Sequence, residues 1–134
     1  MTKVRFAALA LALAALPFTA HAGFKEAAYD VFVMNGQGWS FAYGALGMAR
    51  NSSDSQQYAG CQVETRLSTG VLSANCFFAS PKGEYGYCYT DNPAATQALS
   101  GMSSDSYVQV EWDGNGRCTS IRVRNASYHA PKAP

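Results

Sequence analysis

Apolar and polar residues alternate through most of the chain after residue 28, with the period of two that sends successive side chains to opposite faces of a β-strand. Trp39, Phe41 and Tyr43 share one face and Leu46 and Met48 the other, so residues 39–49 read as a strand with a bend or bulge at Gly44 and Gly47. A shorter strand is expected at 29–34, where Tyr29, Val31 and Val33 alternate, although Phe24, Ala27, Ala28 and Val31 also fit a helical face. Asn35-Gly36-Gln37-Gly38 reads as a turn. After the polar turn Asn51–Ser55, a further strand runs from about Gln57 to Leu67.

Register follows from pairing like faces, because a slip of one residue would turn every apolar group toward water. With Ser68-Thr69 as the loop, Cys61 falls opposite Cys76, Val63 opposite Ala74 and Ala59 opposite Phe78. With Pro81-Lys82-Gly83 as the next loop, Cys76 falls opposite Cys88 and Phe77 opposite Tyr87. Cys61, Cys76 and Cys88 then form a row across a three-stranded meander, and Phe77, Tyr85, Tyr87 and Tyr89 occupy its reverse face.

Asp91-Asn92-Pro93 supplies a side-chain cap and a first-turn proline for one short helix. Gly101 closes it, and Ala95, Ala98, Leu99 and Met102 form a stripe that must pack on the sheet. Asn115-Gly116 predicts a type I′ hairpin pairing Trp112 with Thr119, Val110 with Ile121 and Val108 with Val123. Its other face sets Tyr107, Gln109, Glu111 and Asp113 against Arg124, Arg122, Ser120 and Cys118. Residues 126–134 read as a frayed polar tail. The expected fold is a β-rich α+β domain of about six antiparallel strands, mostly a meander able to curl into a partial barrel, with one short helix.

The first residues change the picture. Lys3 and Arg5 precede an apolar run from Phe6 to Leu16, followed by Pro17 and the small-residue tripeptide Ala20-His21-Ala22. This is the layout of a secretory signal peptide over residues 1–22, with a run too short for the ~20 residues of a membrane helix. The mature domain is then residues 23–134, with no transmembrane anchor after cleavage, in the periplasm or outside the cell. Losing Lys3 and Arg5 from the chain's 10 basic residues leaves 8 against 9 acidic, formally −1, which gives no electrostatic case for nucleic acid.

Export also gives the cysteines a role, since thiols oxidise outside the cytoplasm. Four cysteines allow three connectivities. Cys61–Cys88 would span two strands, ~9.5 Å, beyond the ~7 Å a disulfide tolerates. Cys61–Cys76 with Cys88–Cys118 and Cys76–Cys88 with Cys61–Cys118 both remain open, the first slightly favoured. Spacings of 15, 12 and 30 residues lack the paired C-x₂₋₄-C of zinc sites, and no C-x-x-C occurs. No metal or cofactor is expected.

Catalytic chemistry has little to work with. His21 leaves with the signal and His129 sits in the tail as an exposed histidine. Glu111 and Asp113 share a strand face at the ~7 Å spacing of glycosidase carboxylate pairs, but Arg122 and Arg124 should ion-pair with them and keep both ionised. No G-x-S-x-G, H-E-x-x-H or P-loop spacing is present.

Tyr85, Tyr87, Tyr89 and Phe77 are the binding candidates, with large stiff rings and polar tips suited to sugar stacking or protein contact. The competing expectation is that Trp39, Phe41 and Tyr43 cover this stripe as the second half of a core. The function expected is a non-enzymatic binding protein with a protein or glycan partner, one form being an inhibitor of a secreted hydrolase that presents the Pro81-Lys82-Gly83 loop. The alternatives are a small glycan hydrolase using Glu111 and Asp113, and a structural subunit of an envelope or surface assembly that oligomerises through a strand edge.

Overall fold

Seven antiparallel strands form close to where the alternation places them, although the first, expected over 29–34, runs from Phe32 to Asn35. They were located in a computed structural model that describes residues 23–131 and 133. The leader expected at residues 1–22 lies outside the described residues. β1 (Phe32–Asn35), β2 (Trp39–Ala45), β6 (Tyr107–Asp113) and β7 (Cys118–Arg124) make a four-stranded sheet in that order. β3 (Tyr58–Arg66), β4 (Val71–Ala79) and β5 (Tyr85–Thr90) make a three-stranded meander.

Two sheets therefore stand where one curled sheet was expected. Backbone joins them at one corner, where a parallel bridge links Tyr89 to Arg117 and the Tyr89 amide donates to the Gly116 carbonyl at 3.0 Å. The inner faces meet over a shared core. Val31, Val33, Ala42, Val108, Val110 and Trp112 come from the side of the four-stranded sheet, and Ala74, Cys76, Phe78 and Cys88 from the meander. Burying a ring such as Phe78 completely stabilises the fold by roughly 1.5–3 kcal/mol. Gly86 permits the closest approach, since a Cβ there would lie 3.0 Å from the Trp112 ring and 3.3 Å from Ala42 Cβ.

The meander has the expected register throughout: Cys61 opposes Cys76, Val63 opposes Ala74, and Phe77 opposes Tyr87. Its cysteines form Cys61–Cys76, with Cα atoms 4.0 Å apart, and Cys88–Cys118, at 5.1 Å, which was the slightly favoured connectivity. The helix α2 (Pro93–Leu99) begins with the Asn92 side chain accepting from the Ala94 amide at 2.9 Å. It packs on β3, β4 and β7 and lowers Thr96 and Leu99 into the interior.

Three expectations are corrected. The strand beginning at Trp39 stops at Ala45 and turns into a second helix, α1 (Leu46–Arg50). The Leu46-Gly47-Met48-Ala49 run has no polar member to face water, and Gly47, Met48 and Ala49 are all buried. The β6–β7 turn is not type I′, which needs positive φ at two residues; only Gly116 has it, at 75°. Asp113 Oδ1 instead accepts from the amides of Asn115 (2.9 Å) and Arg117 (3.0 Å), closing a three-residue loop over Gly114-Asn115-Gly116. The extra residue produces a bulge between Glu111 and Trp112, so Trp112 opposes Cys118 rather than Thr119. That shift turns Cys118 inward, toward Cys88. The C-terminal tail, finally, is docked: Tyr128 O accepts from the Glu26 amide at 3.1 Å, and the Asn51 side chain donates to Pro131 O at 2.8 Å.

Candidate functional site

β5 reads Tyr-Gly-Tyr-Cys-Tyr-Thr, and its two faces could hardly differ more. Gly86, Cys88 and Thr90 point into the core, which obliges Tyr85, Tyr87 and Tyr89 to point out. They are 66%, 54% and 39% exposed. Phe77 lies opposite Tyr87 on the same outer face and is half-buried. The four residues singled out in the sequence are thus brought together on the outer surface of the meander.

Neighbours complete the face. In the row beside Tyr87, Gly60 opposes Phe77, and a Cβ on Gly60 would sit 3.1 Å from the Phe77 ring. The missing side chain lets Phe77 lie across the sheet. Tyr58 adds a ring 6.1 Å from Phe77. The next row sets Gln62 opposite Asn75 and Asn75 opposite Tyr89. Tyr87 donates its hydroxyl to Asn75 Oδ1 at 2.8 Å. Arg117 lies 5.1 Å above the Tyr89 ring and pairs with Asp91 at 2.6 Å. The hydrogen bond from Arg117, with its positive charge, holds the exposed Asp91 carboxyl below its ordinary range. Sequence reasoning passed over Tyr58, Gly60, Gln62 and Asn75, although counting two residues at a time from Phe77 and its partner Gly60 places all four on this face.

Trp39, Phe41 and Tyr43 do not cover the stripe. They stand on the outer face of the other sheet, because the inner positions of β2 are taken by Ser40 and Ala42. There they stack with Phe32 and Tyr107: the Phe32 and Tyr43 rings lie 5.3 Å apart at 15°, and Phe41 and Tyr43 6.2 Å apart at 21°. Near-parallel rings this close spend their faces on one another and turn their edges to water.

The carboxylate pair is engaged locally. Glu111 Oε2 accepts from Trp39 Nε1 at 3.4 Å, and Asp113 closes the hairpin loop. The expected ion pairs with Arg122 and Arg124 are absent. Arg122 reaches the Gln109 amide oxygen at 3.5 Å, and Arg124 lies 5.3 Å over the Tyr107 ring. The register sets Arg122 directly opposite Gln109 and Arg124 opposite Tyr107, which makes these residues nearer partners than the acids. His129 is buried, not exposed, with Nδ1 3.0 Å from Glu26 Oε2 and its ring stacked 5.8 Å from Tyr107. Neither atom is aligned for a hydrogen bond, so the contact is one of proximity. Burial, with the Glu26 carboxylate nearby, pushes the Tyr29 hydroxyl above its ordinary range.

A groove of about 540 Å³ runs between β1 and the β4–β5 turn, lined by Tyr29, Phe32, Asn35, Pro81, Lys82 and Glu84 among others. The turn itself is rigid: Ser80 Oγ accepts from the amides of Lys82 (3.3 Å) and Glu84 (3.2 Å), and Gly83 takes a left-handed φ of 81°. Among the described residues no group of three or more His, Cys, Asp or Glu could hold a metal, and no helix is long and apolar enough to cross a membrane. Compared with known protein families, curated proteins and solved structures, the chain matches none of them.

Proposed function

We propose that this protein is an exported, non-enzymatic binding protein that takes its partner on the outer face of the β3–β4–β5 sheet. The supporting observation is the exposure of Tyr85, Tyr87 and Tyr89 on a strand whose opposite face is core. Rings on such a strand lose little further freedom on binding, and pre-organisation of this kind raises affinity. Cys88, between two of the tyrosines, is tied to β7, which stiffens the strand further. Two disulfides are compatible with an oxidising periplasmic or extracellular location. Inhibition of a secreted hydrolase is one form of this function, supported by the rigid Pro81-Lys82-Gly83 turn at the end of the same hairpin.

The test replaces Tyr85, Tyr87 and Tyr89 together with Ala and compares capture by the oxidised wild-type and variant proteins, using envelope proteins, culture-fluid proteins and immobilised polysaccharides. Wild-type protein should retain a saturable partner that the variant loses, with the melting temperature moving by only a few degrees. Full retention by the variant would remove this face from the binding surface. Loss of folding in the variant would make the stripe structural.

A further inference from the structure

We infer that the occupant of this face is a neutral saccharide chain, seated on Tyr85, Tyr87 and Phe77 and hydrogen-bonded by the amides of Asn75 and Gln62. The inference rests on the preceding reading of the face as a binding surface and names its ligand class. Ring geometry is the first ground. Tyr85 and Tyr87 stand at alternate positions, about 7 Å apart along the strand, and among the described residues neither stacks on another ring, whereas the outer rings of the other sheet stack on one another. Open ring faces are what the C–H face of a pyranose packs against, and the bare Gly60 beneath Phe77 keeps that row level across three strands.

Hydrogen bonding is the second ground. A sugar stacked on these rings presents hydroxyls at its rim, each needing both donors and acceptors, which a side-chain amide supplies. Asn75 and Gln62 occupy the adjacent row. The Tyr87 hydroxyl holds Asn75 Oδ1 at 2.8 Å, which fixes the side chain and leaves its NH₂ to donate outward.

Charge decides between ligand classes. The aromatic row Gly60–Phe77–Tyr87 and the amide row Gln62–Asn75–Tyr89 hold no charged side chain. Arg117 at the margin is matched by Asp91 at 2.6 Å. Glu64 and Arg66 lie beyond Gln62 toward the β3–β4 turn, and Lys82 and Glu84 lie in the turn before Tyr85, where Glu84 accepts from Ser80 at 3.0 Å. An anionic glycan or a charged peptide would surrender hydration over this field without gaining a counter-charge, which is costly. An uncharged chain has no charge to desolvate, and its hydroxyls exchange water for the two amides.

Affinity electrophoresis of the intact oxidised protein, through gels holding a neutral β-glucan, xyloglucan, galactomannan or starch, and separately through alginate or polygalacturonate, tests this. At least one neutral polymer should retard the wild type, and neither anionic polymer should. Tyr85→Ala and Tyr87→Ala should each weaken the interaction about tenfold, near 1.4 kcal/mol. Tyr87→Phe, which keeps the ring and frees Asn75, should weaken it less, and Trp39→Ala on the opposite sheet should leave it unchanged. Retardation by anionic polymers alone, or loss in Trp39→Ala but not Tyr87→Ala, overturns the inference. Should no polysaccharide bind while an envelope protein is captured through Tyr85 and Tyr87, the saccharide falls and the binding face stands. Capture of neither kind of partner removes both.

Discussion

At the scale of single residues, the most consequential polar side chain is Gln57, which is buried. Its Oε1 accepts from the Val31 amide at 2.8 Å, and its Nε2 donates to Asp30 Oδ1 at 3.0 Å and to Asp54 Oδ2. Asp54 answers by accepting the backbone amides of Gln57 (2.7 Å) and Gln56 (2.8 Å). Those bonds, the Gln57 amide first, hold the Asp54 carboxyl at about 2, below its ordinary 3.8. A carboxyl whose folded value is depressed adds stability above the unfolded value and loses it as pH falls through the folded one. The melting-temperature advantage of wild type over Asp54→Asn should therefore be full at pH 7 and mostly gone at pH 2. An equal gap at the two pH values would show that the ionised form is not what the loop selects. In the sequence, Asn51–Ser55 was legible as a polar turn, but nothing local marked its aspartate as the acceptor for a glutamine that also bonds the backbone at Val31, just ahead of β1.

Among the elements, the β6–β7 hairpin shows both how far alternation can be followed and where it stops. From Val108–Val123 to Val110–Ile121 the pairing matches the period-two expectation. It fails at the loop, where the carboxylate of Asp113 offers two backbone amides better bonds than a two-residue turn would. One displaced residue changes the face of Cys118, and with it the covalent topology. Without the bulge, Cys118 would share the outer face with Glu111, out of reach of Cys88. The meander had no such competitor, so its register was readable from the alternation of its strands and the position of its loops. The two disulfides close chain segments of 15 and 30 residues. By loop-closure entropy the shorter is worth about 3 kcal/mol and the longer between about 3 and 4 kcal/mol. Urea titration should accordingly find the Cys88→Ala/Cys118→Ala protein less stable than the Cys61→Ala/Cys76→Ala protein. The reverse order would mean that native packing around the Cys61–Cys76 rung outweighs chain entropy.

Over the whole molecule, the hardest thing to read was which surfaces meet. Alternation assigns each strand two faces, but a stripe of Trp39, Phe41 and Tyr43 looks the same whether it roofs a second sheet or lies open. The smaller inner residues settle it: Gly44, Gly86 and Ala42 let the two sheets close on each other and leave the large rings outside on both. The termini follow the same logic of close approach. At Gly47 a Cβ would fall 1.9 Å from Ala130 O and 2.8 Å from the Pro131 carbonyl carbon, both backbone atoms with little freedom to move. Gly47→Ala should therefore expel residues 126–131 from α1 and cost about 1–3 kcal/mol, as overpacking does. Hydrogen exchange should register the loss at the amides of Glu26 and Ala133, now bonded to Tyr128 O (3.1 Å) and Asn51 Oδ1 (2.7 Å), while strands β3–β5 keep their protection. Because the tail packs against α1 and the four-stranded sheet, partner capture by Tyr85 and Tyr87 should survive its release. Protection retained at both amides would show that the backbone yields around the new methyl group. Capture lost together with the tail would mean that the two outer faces do not act independently.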